Sequence, residues 1–349
     1  MTKDLTRYAT WREILAQPAI WRDWGAKLDA AGLRDWVAGL SVDEVWFCGA
    51  GSSAFIGEIV AASLQGGGRR LRAVPTTDLV GRPQAYLTGA PKLIVSFGRS
   101  GNSAETIGTL DALDALAPDW PRLNITCNAG SALATRTGHN VILPEATHDA
   151  GFAMTSSFTT MLLTALAIFG GMMPGHWALV AAEAEAALPV LRAHATLARC
   201  PERVVFVGAG PLTFAAREAA LKVMELSAGQ IPALWDSTLG FRHGPKSFVR
   251  GATDIWVLAS SDPHAAKYDA DLVAELRSQF PGSVVTTVGP GGDVDIPTFG
   301  ADIVVPVILA QVLAVVWSDS LGLAVDDPFA GQGTLSRVVS GVTLYPVTP

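Results

Sequence analysis

The residues with chemistry to offer fall in four short stretches. "FGRSGNSAET" (Phe97–Thr106) gathers small hydroxylated residues, Ser100 and Ser103 among them, around Arg99, directly after the apolar run "LIVS". "CGAGSS" (Cys48–Ser53) sets glycines ahead of Ser52 and Ser53. Glycines let backbone N–H groups approach an anion, a helix N-terminus adds partial positive charge, and the hydroxyls and Arg99 supply further donors. Both stretches suit a phosphoryl group, although turn chemistry and a plain N-cap at Ser103 would leave the same letters. In "EAALKVME" (Glu218–Glu225), Glu218, Lys222 and Glu225 are spaced i, i+4 and i+7, which offers a carboxylate base beside an ammonium. An exposed helix with Glu–Lys pairs reads the same way. In "LGFRHGPKSF" (Leu239–Phe248), His243 precedes a Gly-Pro pair in a loop that can present an imidazole. It is the strongest candidate of six histidines.

Stepping from these residues to what holds them, the chain is duplicated. "DEVWFCGAGSSAFIGE" (43–58) and "ERVVFVGAGPLTFAAR" (202–217) align without gaps, and each reads as a buried strand, a glycine turn and a helix. Strand-like runs follow at similar spacing, "KLIVSF" and "RLNITCN" in the first half, "TDIWVLASS" and "SVVTTVG" in the second, with helices at Ser103–Leu116 and His264–Phe280. This alternation predicts an α/β fold of two doubly wound parallel-sheet domains, a flavodoxin-like sandwich repeated. Residues 1–40 read as a helical N-terminal extension, 41–197 as the first domain and 198–349 as the second with a C-terminal tail. In such sheets ligands bind outside the carboxyl ends of strands, where both serine stretches lie.

Bulk properties narrow the classes. With 349 residues, two domains of ~150 residues each are expected. A net charge of -7 gives no general attraction for nucleic acid, so an anion must be captured by local geometry. Cys48, Cys127 and Cys200 have no paired spacing and read as small buried hydrophobes, not as a disulfide framework or a metal site. The N-terminal residues lack the apolar core of a signal peptide, which points to the cytoplasm. The stretches Met161–Met173 and Ile303–Trp317 fall short of the ~20 residues that a membrane helix needs and are expected inside a core. A dinucleotide is the rival ligand because "GAGSSA" fits G-x-G-x-x-G/A, but the second copy, "GAGPLT", breaks the pattern.

Over about residues 43–345 the chain resembles the sugar isomerase (SIS) superfamily in its double-domain form, as in the isomerase half of glucosamine-6-phosphate synthase. "CGAGSS" and "GRSGNSAET" resemble its phosphate loops, "EAALKVME" its catalytic-glutamate helix, "FRHGP" its histidine loop, and "LSRVV" (Leu335–Val339) its closing tail. "CGAGSSAFIGE", "SFGRSGNSAET" and "GFAMTSSFTT" (Gly151–Thr160) are most similar to the AgaS group of galactosamine-6-phosphate deaminase/isomerases. The resemblance implies phosphate binding by Ser52, Ser53, Arg99, Ser100 and Ser103, with Gly51, Phe152 and Arg337 as further substrate contacts. It implies Glu225 as the base, Lys222 as a charge stabiliser and His243 as the ring-opening acid–base. It calls for no metal or cofactor, for a sugar-phosphate substrate, and for a homodimer with shared sites, since the synthase's histidine loop enters the neighbouring subunit. Gly98, Arg99, Met154 and Arg337 depart from the synthase pattern. A pure isomerase, a glucosamine-6-phosphate deaminase and a non-catalytic sugar-phosphate sensor remain as alternatives.

Overall fold

The computed structural model describes residues 4–296, 302–333, 335–339 and 341–348. It divides into two units, each built around one parallel sheet. The N-sheet unit contains Asp23–His148, Ser156–Pro174 and Gly333–Pro349. Its strands are β1 (Glu44–Cys48), β2 (Arg70–Ala73), β3 (Leu93–Gly98), β4 (Arg122–Thr126) and β5 (His139–Ile142), in the order β2-β1-β3-β4-β5. Chain direction across the sheet reverses between β1 and β3, and ligands bind beyond the strand ends at such a point. Val45–Cys48 pairs in register with Leu93–Ser96, so the segments after Cys48 and Gly98 leave the sheet side by side. Every position of β3 and β4 is buried, as expected of central strands covered on both faces. Helix Ser156–Phe169 carries most of the first long apolar stretch and is buried along nearly its whole length.

The C-sheet unit contains Met1–Arg22, Asp149–Thr155 and Gly175–Gln332. Strands β6 (Arg203–Gly208), β7 (Ala233–Ser237), β8 (Thr253–Leu258) and β9 (Val284–Val288) run in the order β7-β6-β8-β9, which among the described residues is the N-sheet order without its fifth strand. The repeat extends to backbone geometry. Gly51 (φ 55°, ψ -131°) and Gly210 (φ 56°, ψ -128°) open helices Ser52–Ser63 and Pro211–Leu226 with nearly the same left-handed turn. Each helix begins hard against its strand, since a Cβ on Gly49 would lie 2.5 Å from the Ser53 carbonyl carbon and one on Gly208 2.8 Å from Leu212 Cβ.

Two layers cover the C-sheet. Val205 and Val207 pack with Phe241, Ile255, Val257, Leu272 and Leu276, so the 238–252 connection and helix Ala265–Gln279 lie on one face. The alternate residues Val204 and Phe206 are buried toward the other face. Helix Pro211–Leu226, which connects the parallel strands β6 and β7, packs against the buried helix Val304–Ser320. No helix among the described residues is long and apolar enough to cross a membrane.

The extension forms helices Ala9–Gly25 and Ala30–Ala38. Asp326 caps the first, accepting the N–H groups of Ala9 and Thr10 at 2.8 Å each and the Thr10 hydroxyl at 2.7 Å. Glu13 on that helix accepts the Ala150 N–H at 2.6 Å and so ties the 149–155 segment to it. Cys48 and Cys127 are buried as expected, and burial pushes the Cys48 thiol up to about 12. Cys200 departs from expectation and is half-buried, because it sits in the segment leading into β6 rather than within an element.

Candidate active site

The N-sheet unit holds the anion-binding candidates. Ser52 and Ser53 occupy the first turn of the helix that Gly51 opens after β1, and both are buried. Arg99 follows β3, is only 6% exposed, and donates from Nη2 to the Arg337 carbonyl at 3.1 Å. The loop between them and helix Ala104–Leu116 is rigid for identifiable reasons. Asn128 Nδ2 donates to the Ser100 carbonyl (3.1 Å), Ala132 N to Asn102 Oδ1 (2.8 Å) and Leu133 N to the Gly101 carbonyl (3.1 Å). Gly101 sits at φ 63°, and a Cβ there would lie 2.4 Å from Ser131 Oγ. Ser100 Oγ accepts from Asn102 N at 3.3 Å. Ser103 caps helix Ala104–Leu116 by accepting from Thr106 N at 3.3 Å, so the plain cap role foreseen for it is present. The tail crosses the same loop: besides the Arg337 contact, Ala104 N donates to the Val339 carbonyl at 3.4 Å.

Gly51, Ser52, Ser53, Arg99, Ser100, Ser103 and Arg337 therefore belong to one unit, around the adjoining ends of β1 and β3. Sequence reasoning missed the braces Asn102, Asn128 and Ser131. Their signal was present in the Asn-Gly-Ser-rich turn after β4, which resembles the loop it supports.

The proton-transfer candidates lie in the C-sheet unit. Lys222 is fully buried, with Nζ 3.3 Å from Glu218 Oε1 and 2.5 Å from Glu225 Oε2. Glu218 is also fully buried, whereas the Glu225 side chain is 23% exposed. Burial works to lower the Lys222 ammonium, but the charges of Glu218 and Glu225 and the hydrogen bonds to them outweigh it and hold it above its ordinary value. Lys222 thus stays charged, and Glu225 is the member of the trio whose side chain is open to solvent. The exposed-helix alternative does not hold. The helix is sealed one turn later, where Gly229 N donates to the Met224 carbonyl at 2.9 Å and Ala228 takes a left-handed φ of 48°.

His243 is exposed at the end of the Gly240–His243 turn, whose neighbouring Phe241 is fully buried. Phe241 seats the turn against Val205 and Val207 of the C-sheet. Phe152 lies in this unit too: its N–H donates to the Asp326 carbonyl at 3.0 Å and its ring meets Phe329 at 5.1 Å. Among the described residues no group of three or more His, Cys, Asp or Glu side chains could hold a metal ion.

These features, a strand–glycine–helix unit repeated at the head of two parallel sheets, define a duplicated α/β protein. The model of the SIS domain matches residues 41–170. AgaS of Streptomyces coelicolor is 41% identical over 96% of this chain and 95% of its own length. The D-galactosamine-6-phosphate deaminase AgaS of Escherichia coli is 38% identical over 97% and 96%. The crystal structure of tagatose-6-phosphate ketose/aldose isomerase from Escherichia coli superposes with a TM-score of 0.86 at 35% identity, covering 98% of each chain. The chain belongs to the SIS family, within its AgaS group.

Proposed function

We propose that this protein is an amino sugar 6-phosphate deaminase/isomerase that converts galactosamine 6-phosphate and water to tagatose 6-phosphate and ammonia. The names carried by its relatives supply the substrate class. The observation that carries the chemistry is the buried Lys222 between two carboxylates, with only Glu225 reaching solvent. The phosphate seats on Ser52, Ser53, Arg99, Ser100 and Ser103, and this remote binding positions the reacting carbons. His243 moves a proton between ring oxygen and anomeric hydroxyl to open the ring. Glu225 takes the C2 proton of the open aldose and returns it at C1, since one carboxylate can serve neighbouring carbons from one side. The resulting ketose imine is hydrolysed by water to ketose and ammonia. Lys222 offsets the charge that develops beside Glu225.

By resemblance to the synthase, whose histidine loop enters the neighbouring subunit, we take the protein as a homodimer in which each site takes its glutamate from one chain and its histidine from the other. The apolar stretches folded into cores and the acidic charge suit a cytoplasmic enzyme with no nucleic-acid or membrane partner. We take residues 41–197 and 198–349 as the two SIS repeats behind a 1–40 extension. The isomerase name of the Escherichia coli structure fits the same proton transfer without loss of an amine.

The test is a panel of galactosamine, glucosamine and tagatose 6-phosphates scored for both ammonia and ketose, with Glu225→Gln as control. Ammonia from the galacto substrate is expected, and E225Q should bind ligand yet lose solvent-proton exchange at C2. Binding with no turnover of any panel member would point to a sensor, and undiminished exchange in E225Q would remove the base assigned here.

A further inference from the structure

The turn that presents His243 has two well-anchored feet and a polar apex. At one foot Gly240 N donates to Ser237 Oγ at 3.0 Å and Phe241 is fully buried among Val205, Val207, Ile255 and Leu272. At the other Val249 is buried and the Arg203 guanidinium lies over the Phe248 ring at 5.3 Å. Between them, residues 242–247 carry no fully buried side chain. Both cations that flank the imidazole reach the same carboxylate on helix Ala265–Gln279. Arg242 Nε lies 2.9 Å from Glu275 Oε2, and Lys246 Nζ pairs with Glu275 Oε1 while donating to Gln279 Oε1 at 3.0 Å. The Lys246 hydrogen bond, then the charges of Lys246 and Arg242, hold the Glu275 carboxyl below its usual range, so the clamp is charged near neutral pH.

We infer that Glu275 is a positioning residue for the candidate catalytic His243, clamping both shoulders of its turn to the helix beneath. The inference rests on the role proposed for His243. Ion pairs that are still partly open to solvent add little to global stability, so two of them kept at one carboxylate are better explained by placement than by folding. Misplacing a reacting group by ~1 Å can lower a rate by up to ~100-fold.

The experiment is a double-mutant cycle on the full chain with galactosamine 6-phosphate. Glu275→Ala should lower kcat about tenfold while KM and the thermal midpoint stay within about twofold and a few degrees of the parent, because phosphate anchoring belongs to the other unit. Lys246→Met, which removes one arm of the clamp, should fall between the parent and E275A. In a His243→Asn background, E275A should add less than about a twofold further loss, since a positioning residue has nothing left to position. An equal loss in both backgrounds, or no loss from E275A in a folded protein, overturns the inference. A His243→Asn enzyme with undiminished kcat overturns the role of the histidine, and this inference with it.

Discussion

Replacing Lys222 by Met puts the largest predicted stress on the molecule. The substitution keeps length and apolar bulk but removes a buried ammonium that pairs with two carboxylates. At 3.3 Å from Glu218, with an effective dielectric of ~20, the lost attraction is about 5 kcal/mol before any relaxation. Leaving one member of a buried pair uncompensated costs ~3–5 kcal/mol in comparable cases. For a unit of ~150–250 residues, each kcal/mol corresponds to ~2–4 °C, so the C-sheet unit should melt roughly 6–20 °C lower. Scanning calorimetry resolves this if the two units unfold separately, and tryptophan fluorescence during urea unfolding gives an independent midpoint.

The pH dependence has a definite sign. In the parent, Lys222's raised value contributes stability that is fully present below the unfolded lysine pKa of ~10.4 and is lost as pH rises through the higher folded value. In K222M the fully buried Glu218 loses the ammonium 3.3 Å away, so its carboxyl should titrate above its unfolded value of ~4.3. Its penalty is then full at neutral pH and shrinks as pH falls toward 4, so the gap between variant and parent should narrow on acidification. Adding Glu218→Leu should restore at least half of the lost stability at pH 7, because it removes that buried charge. A K222M protein that melts within 2 °C of the parent at pH 7, with no pH-dependent gap, would falsify the picture of a desolvated trio.

Two further outcomes concern function. Arg99→Ala removes a buried guanidinium from the loop proposed to hold the phosphate; a lost charge-assisted hydrogen bond is worth ~1.5–3 kcal/mol, so KM for phosphorylated sugars should rise ~10–100-fold with kcat nearly unchanged, and a matching drop in kcat alone would contradict phosphate anchoring. Mixing separately inactive Glu225→Gln and His243→Asn chains and allowing exchange should recover about a quarter of parental activity, since half the random dimers carry one intact shared site. Persistent inactivity in a verified heterodimer would assign both groups to the same chain.

How far the sequence could be read follows from where the information lay. Central strands such as β3 and β4 were legible because burial on both faces demands an unbroken apolar run. Edge strands were not: "RLRA" in β2 and "HNVI" in β5 are half-exposed or fully exposed at most positions, and β7 carries "ALWDS" without strong alternation. The glycine–serine turns after β1 and β3 were legible because their residues are set locally, by the strand-to-helix turn itself. The burial of Glu218 and Lys222 was invisible because i, i+4 spacing is identical on wet and dry helix faces. Helix Val304–Ser320, some eighty residues later, decides it. Glu275 escaped for a similar reason, since nothing near residue 275 reports that residues 242 and 246 end there.

The paired glycine turns carry a lesson about descent and design. The same left-handed corner survives in both halves, yet one copy is followed by Ser52-Ser53 and the other by Pro211-Leu212. The corner is therefore a blank socket demanded by tight strand–helix joining, and the hydroxyls are fittings that a duplicated gene is free to keep or shed. Writing serines into the vacant copy would ask whether an oxyanion seat can be installed by two codon changes, with the backbone already waiting.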